Sequence, residues 1–224
     1  MKLTTSLLPY LARHGRSLSV LSAAAGTWGD GSGNVLNERL NHTDAQAKLR
    51  SSSVLVVGAG ALGCGCLPYL VRAGVGQITV CDGDTVELSN LHRQILFHEL
   101  DIGRNKAEVA AERLRLSNSG VDIMAVPQHC GYDKQTIMRV KSHDIIADCS
   151  DNVGTRYFLN DACLLAGKIL VVAAALGTEG SLTRWNYSSG PCYRCVSPAP
   201  SHHESHRQCA DDGVLGPVPG AHFS

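Results

Sequence analysis

The sequence predicts an α/β fold, doubly wound on a mostly parallel, Rossmann-like sheet. Three observations carry that reading. Short, wholly apolar runs such as Val54–Val57 (VLVV) suit a strand buried on both faces of a parallel sheet. These runs alternate with segments of helical period, as crossover helices between parallel strands require. Gly58–Gly63 (GAGALG) then falls between the first strand and the first helix, with the G-x-G-x-x-G spacing of a phosphate-binding turn.

Each element follows in order. Residues 1–44 read as an N-terminal extension, partly disordered, with a Gly-rich linker signal at Thr27–Asn34 and order beginning between Ala45 and Arg50. The extension carries Lys2, Arg13 and Arg16 and no acid before Asp30, a pattern that a mitochondrial presequence would also show. The preferred reading is an untidy extension on a cytoplasmic protein. After the strand at Val54–Val57 a helix is expected over Cys64–Ala73, kinked or shortened by Pro68. Gln77–Cys81 is the second strand, ending at Asp82. Gly103–Asn118 is a helix, with Ala107, Ala110 and Leu114 on one face. Asp122–Val126 and Asp144–Cys149 are the third and fourth strands. Ser150-Asp151-Asn152 caps the next helix, whose inner face holds Phe158, Ala162 and Leu165. Ile169–Ala175 is a fifth apolar strand, and Ser181–Tyr187 a sixth with polar alternation.

Composition bounds the function. The 224 residues balance 20 Lys+Arg with 20 Asp+Glu, so no basic surface supports nucleic-acid binding. No apolar run is long enough to cross a bilayer. Nine cysteines, an odd number spread over the chain, suggest a reducing compartment in which thiols bind metal or react.

The glycine loop lets backbone approach a phosphate at a helix N-terminus, and Asp82 at the end of the second strand can accept hydrogen bonds from a ribose. That pair alone fits NAD, FAD or ATP. Ser89-Asn90-Leu91-His92-Arg93-Gln94 and Lys106 favour a triphosphate, whose charge needs cations as pyrophosphate leaves. Asp151, at the C-terminal end of the fourth strand, faces the same crevice and could hold Mg²⁺.

GAGALG, DGDTVELSNLHRQILF, the helix around Lys106, DCSDNVGTRYFLNDAC, GPCYRC and CADDGVLG occur in this order from about Ala45 to Gly220. Together they resemble the ThiF/MoeB-type adenylation domains, relatives of ubiquitin-activating enzymes. Within that family they are most similar to the molybdopterin-synthase adenylyltransferase/sulfurtransferase group. The resemblance implies that ATP·Mg²⁺ adenylates the C-terminal glycine of a ubiquitin-like sulfur carrier, in molybdenum cofactor biosynthesis or tRNA thiolation. It assigns the nucleotide to Gly58, Gly60, Ala61, Gly63, Asp82, Ser89, Asn90, Leu91, His92, Arg93, Lys106, Asp151 and Asn152. Arg93 and Lys106 would stabilise phosphate charge, with Asp151 acting through Mg²⁺. Ala61 replaces a more usual glycine, and its backbone N–H serves equally.

Cys192 and Cys195 form a C-x-x-C whose spacing lets two thiolates grip Zn²⁺, although a structural site needs four ligands. The family supplies a second C-x-x-C that this chain lacks. His202, His203 and His206 could be recruited, and a redox dithiol is the other option. Cys209 matches the family's reactive cysteine, while six cysteines, among them Cys81, Cys149 and Cys163, need no special role. The family's N-terminal Arg-rich element, which completes the ATP site across a homodimer, has no clear match, with Arg39 or Arg50 as substitutes. The adenylation domain at 45–224 therefore reads as C-terminally incomplete and without a rhodanese domain. Two alternatives stand beside the leading one: a fragment that binds carrier or partner subunit without turnover, and an NAD(P)-dependent oxidoreductase.

Overall fold

The computed structural model describes residues 42–198. The N-terminal linker, Arg39, His202, His203, His206 and Cys209 lie outside the described residues. The element order is α1 (His42–Ser51), β1 (Ser53–Val57), α2 (Ala61–Ala73), β2 (Gln77–Cys81) and α3 (Lys106–Ser117). It continues with β3 (Asp122–Val126), α4 (Lys134–Ser142), β4 (Ile145–Asp148), α5 (Val153–Ala166), β5 (Ile169–Leu176), β6 (Glu179–Trp185) and α6 (Tyr193–Val196). Two 3-10 turns, Leu88–Asn90 and Glu99–Asp101, shape the long crossing between β2 and α3.

The strands form one six-stranded sheet in the order β3-β2-β1-β4-β5-β6. Every pair is parallel except β5 with β6, which is antiparallel. The period-2 geometry of β1 explains the layers. Val54 and Val56 join a core with Leu67 and Val71 of α2 and Ala110 and Leu114 of α3. Leu55 and Val57 point the other way, into a core with Val140 of α4 and Phe158, Leu159 and Ala162 of α5. Both faces of the sheet are thus covered, as the continuous apolar runs require. The strand order reverses between β1 and β4, and a ligand crevice is expected outside the carboxyl ends of those two strands.

Several boundaries differ from the sequence reading, for identifiable reasons. The chain is helical from His42; among the side chains described in α1 only Leu49 is buried, and too few apolar positions reveal its period. The helix α2 begins at Ala61, inside the glycine motif: Gly60 is its N-cap and its carbonyl accepts a hydrogen bond from the Cys64 N–H at 2.8 Å. It also continues through Pro68 to a left-handed cap at Gly74, so the proline does not shorten it. The cost of that proline is borne by burial, since Leu67 and Val71 on either side are fully enclosed. The expected helix from Gly103 starts at Lys106, because Asn105 caps it by accepting from Ala107 N and Glu108 N. The helix α4 has no counterpart in the sequence reading, as Val140 and Thr136 are its only buried positions. The last strand is shifted to Glu179–Trp185 by a two-residue turn through Gly177, which pairs Leu176 with Glu179.

Candidate functional site

The loops after β1, β2 and β4 enclose a crevice of about 780 Å³ at the strand-order reversal. Its floor is the glycine turn. Gly58 has φ +97°, and a Cβ there would stand 2.7 Å from the Cys149 carbonyl oxygen. A Cβ on Gly63 would fall 2.1 Å from the Gly58 carbonyl oxygen. The two glycines therefore serve the close approach of α2 to β1 and β4. At Gly60 the space is open, with only the Gln94 Nε2 atom 3.9 Å from an added Cβ. The first-turn N–H groups of α2 are left facing a phosphate-sized opening.

Asp82 is buried at the end of β2, and its carboxylate braces the turn. Oδ2 accepts from Ala59 N at 2.7 Å, and Oδ1 accepts from Asp84 N at 2.8 Å. A carboxylate has about four acceptor directions, so capacity for a ribose hydroxyl remains. Lys106 opens α3 and is itself buried, with Nζ 3.0 Å from Asp84 Oδ2. Arg93 also lines the crevice, held by a hydrogen bond from Nη1 to the Ser89 carbonyl at 3.1 Å. Across the opening stand Asp151, exposed, and Asn152, whose side chain caps α5 by accepting from Thr155 N.

The crevice thus gathers Gly58, Gly60, Ala61, Asp82, Asn90, Arg93, Lys106, Asp151 and Asn152 from the expected set. Gly63, Ser89, Leu91 and His92 are not among its lining residues. Gly63 acts through packing, Leu91 packs against the core, and Ser89 supplies the carbonyl that holds Arg93. His92 is exposed on the outer lip, 3.2 Å from Arg93 Nη1.

Other lining residues had no individual role assigned from the sequence, Gln94 having been named only as the end of its run. Gln94 is buried, and neither its Oε1 nor the Oδ1 of buried Asn90 has a hydrogen-bond partner among the described residues. Unpaired buried amide oxygens are costly, and here both belong to residues that line an open crevice. The HRQ run carried the signal for Gln94. Asp84 was visible in the run DGD, but His129 arrives from the β3–α4 loop, and no local pattern marks it. Asp82, Asp84 and His129 bring ligand atoms within 4.8 Å of one another, yet both carboxylates are already engaged by backbone N–H groups or by Lys106.

Beneath the crevice, Asp148 of β4 is fully buried and paired with Arg156, whose Nε lies 3.0 Å from Oδ2. Burial pushes the Asp148 carboxyl upward, while Arg156 and the Ser150 N–H and hydroxyl oppose that shift. The pair anchors Ser150 and so the loop that presents Asp151.

Cys192 and Cys195 stand with sulfurs 3.5 Å apart at the start of α6, close enough to share one metal ion. Burial raises the Cys192 thiol, but hydrogen bonds from Cys195 and Asn160 bring its net pKa below the ordinary value. Among the described residues no further metal-ligating group gathers around them, so they fit half of a tetrahedral zinc site. Cys64 and Cys163 are pushed up to about 12 by burial, as expected of core thiols. Cys81 departs from that reading, because it lies in contact with Cys130 at the crevice wall.

Fold and crevice together define a doubly wound α/β protein with an open glycine turn, ringed by Lys106, Arg93 and Asp151. The chain belongs to the ThiF family, whose profile matches residues 34–222. It is 50% identical over 176 residues to the adenylyltransferase and sulfurtransferase MOCS3 of Xenopus laevis. It is also 50% identical over 175 residues to that of Mus musculus. These alignments span 78% of this chain and 39% and 38% of the relatives, so the chain spans about two fifths of their length. Among solved structures, E. coli MccB superimposes with a TM-score of 0.73 at 22% identity, covering 88% of this chain and 61% of that one. The crystal structure of E. coli MccB + ATP gives 0.70 at 23%, covering 83% and 56%. That likeness concerns the fold.

Proposed function

We propose that this chain is an adenylyltransferase unit that uses ATP to activate the C-terminal glycine of a ubiquitin-like sulfur carrier. The observation that carries the reading is the crevice itself. One glycine turn, two cations of separate origin and an exposed carboxylate converge on a site with unpaired buried amide oxygens. An oxidoreductase has no use for Lys106 and Arg93 there. The likeness to MOCS3 proteins, named adenylyltransferase and sulfurtransferase, supports the same class.

The phosphates would rest on the first-turn N–H groups of α2, and the ribose against Asp82. Attack of the carrier's terminal carboxylate oxygen on the α-phosphorus forms an acyl-adenylate and releases pyrophosphate. Lys106 and Arg93 stabilise the negative charge that grows on the leaving phosphates. Asp151 would hold Mg²⁺, which supplies further charge neutralisation when bound. Asp84 keeps Lys106 in place before the nucleotide arrives.

The sulfur-transfer stage belongs to Cys209 in this reading: its thiolate displaces AMP from the acyl-adenylate to form a thioester, or, loaded as a persulfide by a separate persulfide donor, it takes part in passing that sulfur to the acyl carbon. Cys192 and Cys195 would contribute two zinc ligands. A second copy of the chain is the expected partner, with Arg39 or Arg50 reaching across. Molybdenum cofactor biosynthesis and tRNA thiolation are the destinations for the carrier, in the cytoplasm. No helix among the described residues is long and apolar enough to cross a membrane.

The test is carrier-dependent exchange of labelled pyrophosphate into ATP. Exchange should appear with wild type and vanish in Asp151→Ala. Carrier retained in a pull-down without any exchange would favour the non-catalytic reading. NADH binding in place of ATP would overturn the adenylation reading.

A further inference from the structure

We propose that Cys81 and Cys130 form an oxidative modification site: an oxidant of the hydrogen peroxide class joins them in a disulfide across the crevice wall. This goes beyond the adenylation reading and does not depend on it.

The two sulfurs lie 2.8 Å apart. A disulfide places them about 2.05 Å apart, so closure asks for roughly 0.8 Å of sulfur movement. The approach is built into the backbone. Cys81 ends β2 in register with Val126 of β3, and Cys130 follows four residues later in the loop to α4. The Asp82 N–H to Val126 carbonyl hydrogen bond, at 3.1 Å, fixes the strand ends at this point. Both cysteines are nearly inaccessible to solvent, and both belong to residues of the crevice wall, so a small neutral oxidant reaches them through local opening of that wall.

The hydrogen bonds set the order of reaction. Cys130 Sγ donates to Cys81 Sγ, and the Cys81 thiol in turn donates to the Gln128 carbonyl oxygen at 3.0 Å. The bond from Cys130 holds the Cys81 thiol below its ordinary pKa against the effect of burial, and the charge of Arg139 acts in the same direction. The same bond drives the Cys130 thiol well above the ordinary range. Of the two sulfurs, Cys81 is the one more readily ionised, and it attacks peroxide first. Its sulfur takes one peroxide oxygen to become a sulfenic acid, and the other oxygen leaves as water. Cys130 sulfur then attacks the sulfenic sulfur, forming the S–S bond and expelling the second water. Two thiols lose two electrons and two protons, and one peroxide becomes two waters.

The cross-link would act on the crevice. The loop it fastens carries His129, whose ring lies within 2.8 Å of where a Cβ on Gly83 would stand. Fixing that loop to β2 fixes the wall beside Asp82. The other close pair, half-buried Cys192 and exposed Cys195, lies away from the crevice.

The experiment is to treat the full chain with hydrogen peroxide, alkylate free thiols under denaturing conditions and map the linked peptides against time. The Cys81–Cys130 peptide pair should form at least tenfold faster than any disulfide of Cys64, Cys66, Cys149 or Cys163, and dithiothreitol should reverse it. It should be absent from Cys81→Ser and Cys130→Ser, each checked for native circular dichroism before oxidation. Recovery of both thiols as free, alkylated cysteines after the other core thiols have reacted would overturn the proposal. So would a Cys66–Cys149 disulfide in its place, or a Cys81–Cys130 link that forms only in urea. Since wild type alone decides these outcomes, a variant that fails to fold does not shelter the idea.

Discussion

The Asp82 carboxylate accepts a hydrogen bond from the Ala59 backbone nitrogen at 2.7 Å. It spans the gap between the end of β2 and the glycine turn after β1, and both residues are buried. A second bond, from the Asp84 N–H, leaves the carboxylate clamped between two segments. Asp82→Asn keeps the volume but turns an NH₂ group toward one of these donors. The expected cost is about 1–3 kcal/mol, the penalty for an unpaired buried donor. Thermal denaturation should show a fall of roughly 3–10 °C, and ATP affinity should fall with it. A variant of unchanged melting temperature and weakened ATP binding would show that Asp82 acts on the ligand alone.

Two glycines with positive φ should answer differently to alanine. Gly58 combines φ +97° with a clash against the Cys149 carbonyl, whereas Gly103 has φ +86° and nothing within 4 Å of an added Cβ. Gly103→Ala should cost only the left-handed backbone penalty, about 1–2 kcal/mol. Gly58→Ala should cost that and more, since backbone must shift. Urea denaturation of the two variants gives the order, and equal midpoints would refute the packing role of Gly58.

Arg156→Met should strand the buried Asp148 charge and destabilise the fold by about 3–5 kcal/mol at neutral pH. The pH dependence has a definite sign. Burial already raises the folded-state carboxyl of Asp148, and loss of Arg156 removes the largest opposing influence. In this variant the Asp148 contribution is fully present below the ordinary aspartate value, about 3.9. It is lost as pH rises through the higher folded value. Urea midpoints measured from pH 3.5 to 7 should therefore draw the variant closest to wild type at the acid end.

Gln94→Leu tests the unpaired amide of the crevice. The side chain has no partner for Oε1 among the described residues, so the unliganded fold should keep or slightly raise its stability. ATP affinity should fall about 5–10-fold, as for one lost neutral hydrogen bond. Calorimetric titration decides, and unchanged affinity would assign Gln94 to packing.

Much of this was legible in the sequence where local chemistry and tertiary role coincide. Val54–Val57 had to be a doubly buried strand, because four consecutive apolar residues leave no polar face. Asn152 caps α5 for the reason its side chain suggests: it accepts from an orphan N–H group of the first turn. The order of loop, Asp82, Arg93, Lys106 and Asp151 also announced one crevice. The helices α1 and α4 were not legible, since Leu49 and Val140 supply too little periodic burial to betray a helix.

By itself, then, the sequence determined the alternation of strands and helices, the glycine turn and the chemical character of its surroundings. These depend on neighbours a few residues apart, through dihedral limits, capping and the period of burial. Only the tertiary structure decided which residues share the crevice. It turned Gly63 into a packing contact, left Ser89, Leu91 and His92 off the lining, and added His129. It also placed Cys81 against Cys130, 49 residues apart in sequence. The physical reason is the parallel sheet: its register joins the ends of β1, β2, β3 and β4, and no local pattern encodes that meeting.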